Sequence, residues 1–314
     1  INASEFIKLN GNKPGTFSPT LRSESLASAT LDTGIISGTN GSGAAGNTNI
    51  NTGQLTIKNG AGIATSSISP ASLTTIYPNL ISSLVDEQIF NPLADAIIQT
   101  INDKLDKIPD AGDSGELSIN ANKIELIGSS SLTAATFSSG NAGNLIINNT
   151  DEFTLEGGAF VSTSTFKSGN AGDLEVTTDK LSVSNGSFIG AGTLEEGEGG
   201  KVSITAFDSV EITGSSNDIG DNKVPSQITT TAETGATGDA GVLIVDTKKL
   251  IIADGAEISA STESTLGGEI ILQGLDSLEL SNAQISASTL DGEAGDILIY
   301  ALDFECRGKI GRHG

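Results

Sequence analysis

Gly241-Val-Leu-Ile-Val-Asp-Thr-Lys-Lys-Leu-Ile-Ile-Ala-Asp-Gly-Ala-Glu-Ile-Ser-Ala-Ser-Thr262 is one unit of a pattern that fills most of the chain. It holds three short apolar stretches, Leu243-Ile244-Val245, Leu250-Ile251-Ile252 and Ala256 to Ala260, the last entered through a turn at Asp254-Gly255. A polar loop from Ser261 to Leu266 then leads to the next glycine. Strict alternation places Ala256, Ile258 and Ala260 on one face and Glu257 and Ser259 on the other, as a strand requires. Asp-Gly supplies the positive φ that a tight corner needs.

The unit recurs. A Gly-x-x-Gly punctuation precedes each copy, and its second glycine falls at 46, 115, 143, 172, 200, 241 and 295, with a degenerate copy at 268. Most intervals are 27–29 residues, and the two longer ones, 46 to 115 and 200 to 241, read as one period plus an insertion. The same order of stretches runs through Leu145–Ile147, Phe153–Leu155, Gly157-Gly158 and Ala159–Thr163, and again through Leu174–Val176, Leu181–Val183, Asn185-Gly186 and Ser187–Ala191. Equivalent inward sets are Ala159, Val161 and Thr163, and Ala283, Ile285 and Ala287.

A unit with two or three apolar residues per strand cannot bury its own face, so neighbours must stack. The expected fold is all-β: a right-handed single-stranded parallel β-helix with a short helical insertion. Eight coils at the inter-strand spacing give a rod on the order of 40 Å. The expected boundaries are N-terminal coils over 1–69, a helical insertion over 70–110, further coils over 111–300 and a tail over 301–314. In 70–110 glycine almost disappears and Leu73, Ile76, Leu80, Leu84, Ile97, Ile101, Leu105 and Ile108 fall at helical spacing. Pro70, Pro78, Pro92 and Pro109 cut that stretch into short helices. Its apolar stripe is expected to dock on the protein's own coils, with a partner-binding role as the alternative. Two units carry about a dozen extra residues between strands two and three, read as surface loops. In the first, Glu5 to Leu9 is followed by Pro19 and a third strand at Ser25–Ala29; in the second, Val210 to Thr213 is followed by Pro225 and Gln227–Thr230. The final residues are basic, with Cys306, Arg307, Lys309, Arg312 and the sole histidine, His313.

Composition narrows the function classes. Formal net charge is −23, which argues against nucleic-acid binding and against docking on anionic lipid heads. One cysteine excludes an intrachain disulfide framework. No signal peptide and no transmembrane run is recognisable, so no membrane insertion is expected. The chain starts at Ile1 and contains no methionine, and is read as a segment of a longer protein.

The phrases Gly140-Asn-Ala-Gly-Asn-Leu-Ile-Ile-Asn148, Thr52-Gly-Gln-Leu-Thr-Ile57 and Asp254-Gly-Ala-Glu-Ile-Ser-Ala-Ser-Thr262 resemble the repeats of large filamentous-haemagglutinin-like exoproteins, especially those abundant in cyanobacteria. The likeness spans nearly the whole chain except 70–110 and the tail, and suits an internal or C-terminal fragment. It implies two-partner secretion, with an outer-membrane β-barrel transporter as the partner during export. It further implies a secreted or cell-surface adhesin whose ligand is a cell-surface or extracellular polysaccharide or protein. The family's secretion domain, with its Asn-Pro-Asn motifs, is not recognisable; Tyr77-Pro78-Asn79-Leu80 is a partial echo.

Two other classes fit a parallel β-helix. A carbohydrate-active enzyme needs two carboxylates facing one groove. Glu195, Glu196 and Glu198 cluster on a glycine-rich loop, and Asp208 with Glu211 and Asp276 with Glu279 are i,i+3 pairs. Nothing separates them from the ordinary acids of a soluble rod, so no catalytic and no cofactor-binding residue is assigned, and no cofactor. A nucleophilic triad would have only Cys306 and His313 to draw on. Whether a metal binds is left open: calcium is the candidate, at Asp103, Asp106, Asp110, Asp113 and Glu116, or at Asp218 and Asp221 with Asn217 and Asn222, but neither group follows a known calcium loop. The hydroxyl runs Ser162–Thr165, Ser259–Thr262 and Ser286–Thr289 are candidate glycan or water-ordering rows. The stalk of a contact-dependent toxin-delivery exoprotein is the third class.

Overall fold

The computed structural model describes residues 1–11, 34–39, 43–67, 112–137, 139–166, 168–193, 196–219, 222–232, 238–262 and 266–313. The expected helical insertion at 70–110 lies outside them. The described residues are all-β, with no helix, and one sheet of 16 strands holds nearly everything.

Alternating apolar residues give two columns of strands. The long column runs β1 (Asn2–Asn10), β3 (Thr48–Lys58), β5 (Leu117–Ile127), β7 (Leu145–Glu156), β9 (Leu174–Ser184), β11 (Val202–Thr213), β15 (Val242–Ala253) and the first part of β17 (Glu269–Ser288). The short column runs β2 (Gly34–Gly38), β4 (Gly62–Ser66), β6 (Ser131–Ala135), β8 (Phe160–Thr165), β10 (Phe188–Thr193), β14 (Gln227–Ala232) and β16 (Glu257–Thr262), and ends on the second part of β17. Each strand pairs in parallel with the equivalent strand one unit on, as in Ile189↔Ile228 and Leu243↔Ile270. The core lies between the columns, and the expected inward residues Ala159, Val161, Ala256, Ile258, Ala260, Ile285 and Ala287 all belong to it.

The first two strands expected in each unit are one continuous strand with a kink. In β15 the ladder skips between Asp246 and Lys249, joining the stretches around Ile244 and Ile251 without a break. A bulge of this kind turns a strand without ending it. A small buried residue sits at the bend: Thr178 Oγ1 donates to Lys180 O at 3.1 Å, and Thr52 Oγ1 to Gln54 O at 3.2 Å. The corner between the columns is sharper. There Asn185 and Gly186 take φ of 55° and 78°, and Asp254 and Gly255 take 57° and 88°, as the sequence predicts.

The Gly-x-x-Gly glycines have a different cause. A Cβ on Gly172 would collide with the carbonyl oxygen of Gly143, one on Gly200 with that of Gly172, and one on Gly241 with that of Gly200. The turns stack backbone on backbone, and a side chain there would hold successive units apart.

Two expectations change. The extra residues after β11 are not a plain loop: β12 (Ser215–Ile219) and β13 (Asn222–Pro225) form an antiparallel hairpin, with Ser216 opposite Val224. In the first unit Gly34–Gly38 pairs with the third strand of the next, setting Ile35 beside Ile63, while the expected strand at Ser25–Ala29 lies outside the described residues. Residues 12–33, including Pro19, lie outside the described set. The repeat also continues past Tyr300: β18 (Ile297–His313) pairs with β17 as far as Ser288↔His313. Phe304 and Ile310 there occupy the places of Leu278 and Ile285, so the basic residues ride on one more unit rather than on a tail.

Candidate functional surfaces

The glycine turn fixes the outer edge of each unit, and its polar residues form two ladders. In one, Asn141 N donates to Asp113 Oδ1 at 2.7 Å, Asn170 N to Asn141 Oδ1 at 2.9 Å and Glu198 N to Asn170 Oδ1 at 3.0 Å. In the other, Glu116 N donates to Asn47 Oδ1, Asp173 N to Asn144 Oδ1 and Lys201 N to Asp173 Oδ1, each at 2.9–3.0 Å. Two calcium candidates, Asp113 and Glu116, are thereby placed: the first caps a turn with its carboxylate, and the second donates its backbone N–H to a rung. Asp103, Asp106, Asp110 and Asp221 lie outside the described residues, and Asp218 is in the β12–β13 hairpin. Among the described residues no group of three or more His, Cys, Asp or Glu converges as a metal site.

The outward face of the long column carries side-chain ladders. Asn51 Nδ2 donates to Asn2 Oδ1 at 2.8 Å, and Asn120 Nδ2 to Asn51 Oδ1 at 2.9 Å. Beside them charge alternates up the stack: Lys123 Nζ lies 2.8 Å from Glu152 and 3.3 Å from Glu125, and Lys180 Nζ lies 3.5 Å from Asp208. The hydrogen bonds to Glu152 and Glu125 push the Lys123 ammonium above its ordinary value. For Glu125, burial pushes the carboxyl up, but the hydrogen bond and charge of Lys123, the Thr56 hydroxyl and Lys58 outweigh it and hold the group below the ordinary range. A catalytic carboxylic acid needs the opposite shift.

The other carboxylates are scattered. Glu196 and Glu198 sit on the exposed turn before Gly200, and Glu195 lies outside the described residues. Asp208 is at the β11 kink, bound to Lys180, while Glu211 points outward three residues on, in register with Ser182 and Ile251. Asp276 is exposed at the β17 kink, and Glu279 faces outward beside Glu305 of β18. Among the described residues these acids form no facing pair across a groove. Cys306 is exposed on β18, seven residues from His313 along the same strand. An open depression at the end of the sheet is lined by Asp296, Ile297, Ile310 and Gly311, with one acid and no second functional group.

The hydroxyl rows are the largest surprise. Ser162, Ser164, Ser259, Ser286 and Ser288 point away from the core, yet all are buried. Their hydroxyls are satisfied locally: Ser162 and Ser164 share a 2.8 Å bond, and Ser286 donates to Glu257 Oε1 at 3.0 Å. A glycan could not reach them as they stand. Alternation marks which side chains point outward, but carries no signal that something covers them.

Exposed apolar side chains gather elsewhere, at the last units of the long column. Half-buried Ile244 and Ile271 and exposed Leu298 stack in register on the outward face, with exposed Tyr300 and Leu302 beside them. No protein-family model matches the chain, and no curated protein and no solved structure matches it either.

Proposed function

We propose that this chain is a right-handed single-stranded parallel β-helix that serves as an adhesin-type scaffold, secreted or held at the cell outer surface, and not an enzyme. The observation that carries the reading is the unbroken parallel ladder from β1 to β18, on which the described acids are turn rungs, ladder ions or solvated charges. A rod of this kind offers long outward faces with ladders of amide and charged groups, suited to extended polysaccharide or protein surfaces. Export through an outer-membrane transporter, as in two-partner secretion, belongs to the same proposal and rests on the filamentous-haemagglutinin-like repeats. A chain with one cysteine needs no disulfide formation before or after crossing.

The test couples the protein to beads and measures their retention under flow on polysaccharide-coated and cell-coated surfaces. Retention that saturates and is competed by free protein is the expected result. Retention no greater than that of an equally acidic reference protein refutes adhesion by this segment. The same preparation is assayed for chain cleavage of acidic polysaccharides with and without calcium. Turnover that is lost in a Glu196→Gln, Glu198→Gln variant refutes the non-enzymatic reading.

A further inference from the structure

Where β15, β17 and β18 lie side by side, the outward face of the long column brings together an aromatic ring, an amide and a carboxylate. Ile299 packs toward the core, so Tyr300 points outward, and it is 59% exposed. Opposite it the ladder is irregular: between Leu272↔Ile299 and Leu275↔Ala301, β17 has two residues, Gln273 and Gly274, where β18 has only Tyr300. Gly274 takes a φ of 73°, and a bulge with glycine in this conformation re-aims the side chains around it. A Cβ on Gly274 would collide with Asp246 Oδ1, so the carboxylate from β15 lies close against the bare glycine. Gln273 holds it there, Nε2 donating to Asp246 Oδ2 at 2.9 Å. The second amide hydrogen and Oε1 of Gln273 take no partner among the described residues. Two residues before Asp246, Gln273 and Tyr300 in their strands stand Ile244, Ile271 and Leu298, an apolar strip that runs along the rod over two inter-strand spacings, roughly 10 Å.

We propose that this patch binds a neutral polysaccharide laid along the rod axis, one sugar ring stacking on Tyr300 while its hydroxyls bond to Gln273 and Asp246. The site deepens the adhesin reading and rests on it. A pyranose ring has C–H faces and a rim of hydroxyls, so it needs an aromatic or aliphatic floor with fixed donors and acceptors at its edge. Tyr300 and the strip are the floor. Gln273 and Asp246 are the edge, and their mutual bond fixes both before a ligand arrives. Charge selects against acidic polymers: the formal net charge is −23, Asp246 is in the patch, and Asp276 and Asp303 lie on the same two strands as Gln273 and Tyr300. Width selects against a protein partner, because a strip one residue across falls short of the about 800 Å² per partner that a stable interface buries.

Native gels cast with hydroxyethylcellulose, dextran or galactomannan, beside one cast with alginate, test the proposal. At least one neutral polymer should retard the protein, and alginate should not. Tyr300→Ala should weaken that retardation at least about tenfold, the loss expected of a central aromatic contact, while Tyr300→Phe keeps most of it. Should Tyr300→Ala alter the circular dichroism of the stack, Gln273→Leu decides, and a comparable loss is expected. Tyr300 is one of two tyrosines in a chain without tryptophan, so in a Tyr77→Phe background its emission should change saturably with the same polymer. Retardation by none of the neutral polymers overturns the proposal, as does retardation by alginate alone or retardation that Tyr300→Ala and Gln273→Leu leave unchanged. Bead retention under flow separates this site from the adhesin reading. Beads held as firmly by the Tyr300→Ala protein as by the parent refute the site and leave adhesion standing; retardation lost in Tyr300→Ala, without bead retention by the parent, supports the site and refutes adhesion.

Discussion

A methyl group added to Gly172 should damage the stack more than one added to a glycine in open space or at a turn. The new Cβ would overlap the Gly143 carbonyl oxygen, a backbone atom that cannot swing aside. Relief requires the turn to lift from its neighbour, stretching the Ala142 N to Asn170 O bond of 3.0 Å and the Leu145 N to Asp173 O bond of 2.9 Å. Overpacking of about 1–3 kcal/mol, with one weakened buried bond of about 1 kcal/mol or more, gives an expected loss of about 3 kcal/mol. Gly255→Ala meets no neighbour but keeps a φ of 88°, and should cost about 1–2 kcal/mol. Gly43→Ala has neither problem and should stay within about 0.5 kcal/mol.

Urea denaturation followed by circular dichroism measures the three variants side by side. With a slope of about 3 kcal/mol/M, the Gly172→Ala midpoint should fall by about 1 M. Stability in a stack is a sum over nearest neighbours, so a weak interface in the middle should also split or broaden the transition. Equal midpoints for Gly172→Ala and Gly43→Ala would refute the claim that backbone stacking, rather than chain flexibility, requires the glycine ladder.

Further predictions concern polar groups. Thr247 Oγ1 is buried with no hydrogen-bond partner among the described residues, so Thr247→Val should raise stability by about 1 kcal/mol, measured by the urea midpoint. Thr178→Val at the equivalent bend loses the bond to Lys180 O and should lower it. Glu125 has a depressed carboxyl value, so its contribution is present above the ordinary carboxylate value and is lost as pH falls through the lowered one. Glu125→Gln should therefore be less stable than the parent near neutral pH, by no more than about 1 kcal/mol because the pair is partly solvated, and the gap should close in acid. Asn170→Ala removes the acceptor for Glu198 N at a solvated turn, and should cost about 0.5–1 kcal/mol in the same titration.

Much of this architecture was legible because stacking imposes period and pattern on each unit. The glycine interval, the inward sets around Val161 and Ile258, and the positive φ at Asn185-Gly186 and Asp254-Gly255 follow from local chemistry that a sequence displays. The join between the first two strands was not legible, because a kink at Thr178 or Thr247 looks like a break when only apolar stretches are counted. The β12–β13 hairpin escaped because its strands are short and polar. The last unit escaped because Cys306 and Arg312, in register with the core residues Leu280 and Ala287, read as an end, and so do the neighbouring Arg307, Lys309 and His313, while the ladder from Ile270↔Ile297 to Ser288↔His313 is a matter of backbone pairing. For the candidate site, dispersed acids were legible as such. The burial of the hydroxyl rows was not, since it arises from contacts distant in sequence.

The two faces of one strand show where selection for recognition can act. Along the short column the inward position reads Ile63, Leu132, Val161, Ile189, Ile228, Ile258 and Ile285, branched and apolar in every unit. One residue on, the outward position reads Ala64, Thr133, Ser162, Gly190, Thr229, Ser259 and Ser286, small throughout. The outward position of the long column behaves otherwise: Asn49, Ser118, Ile146, Glu175, Ser203, Ile244, Ile271 and Leu298 vary in size, charge and polarity. Stacking there is satisfied by the backbone and the core, which leaves the outward side chain free to change from unit to unit. The variable surface therefore lies on the long column, and the run of half-buried Ile244 and Ile271 and exposed Leu298, with Tyr300 and Leu302, is the part of it that solvates least well.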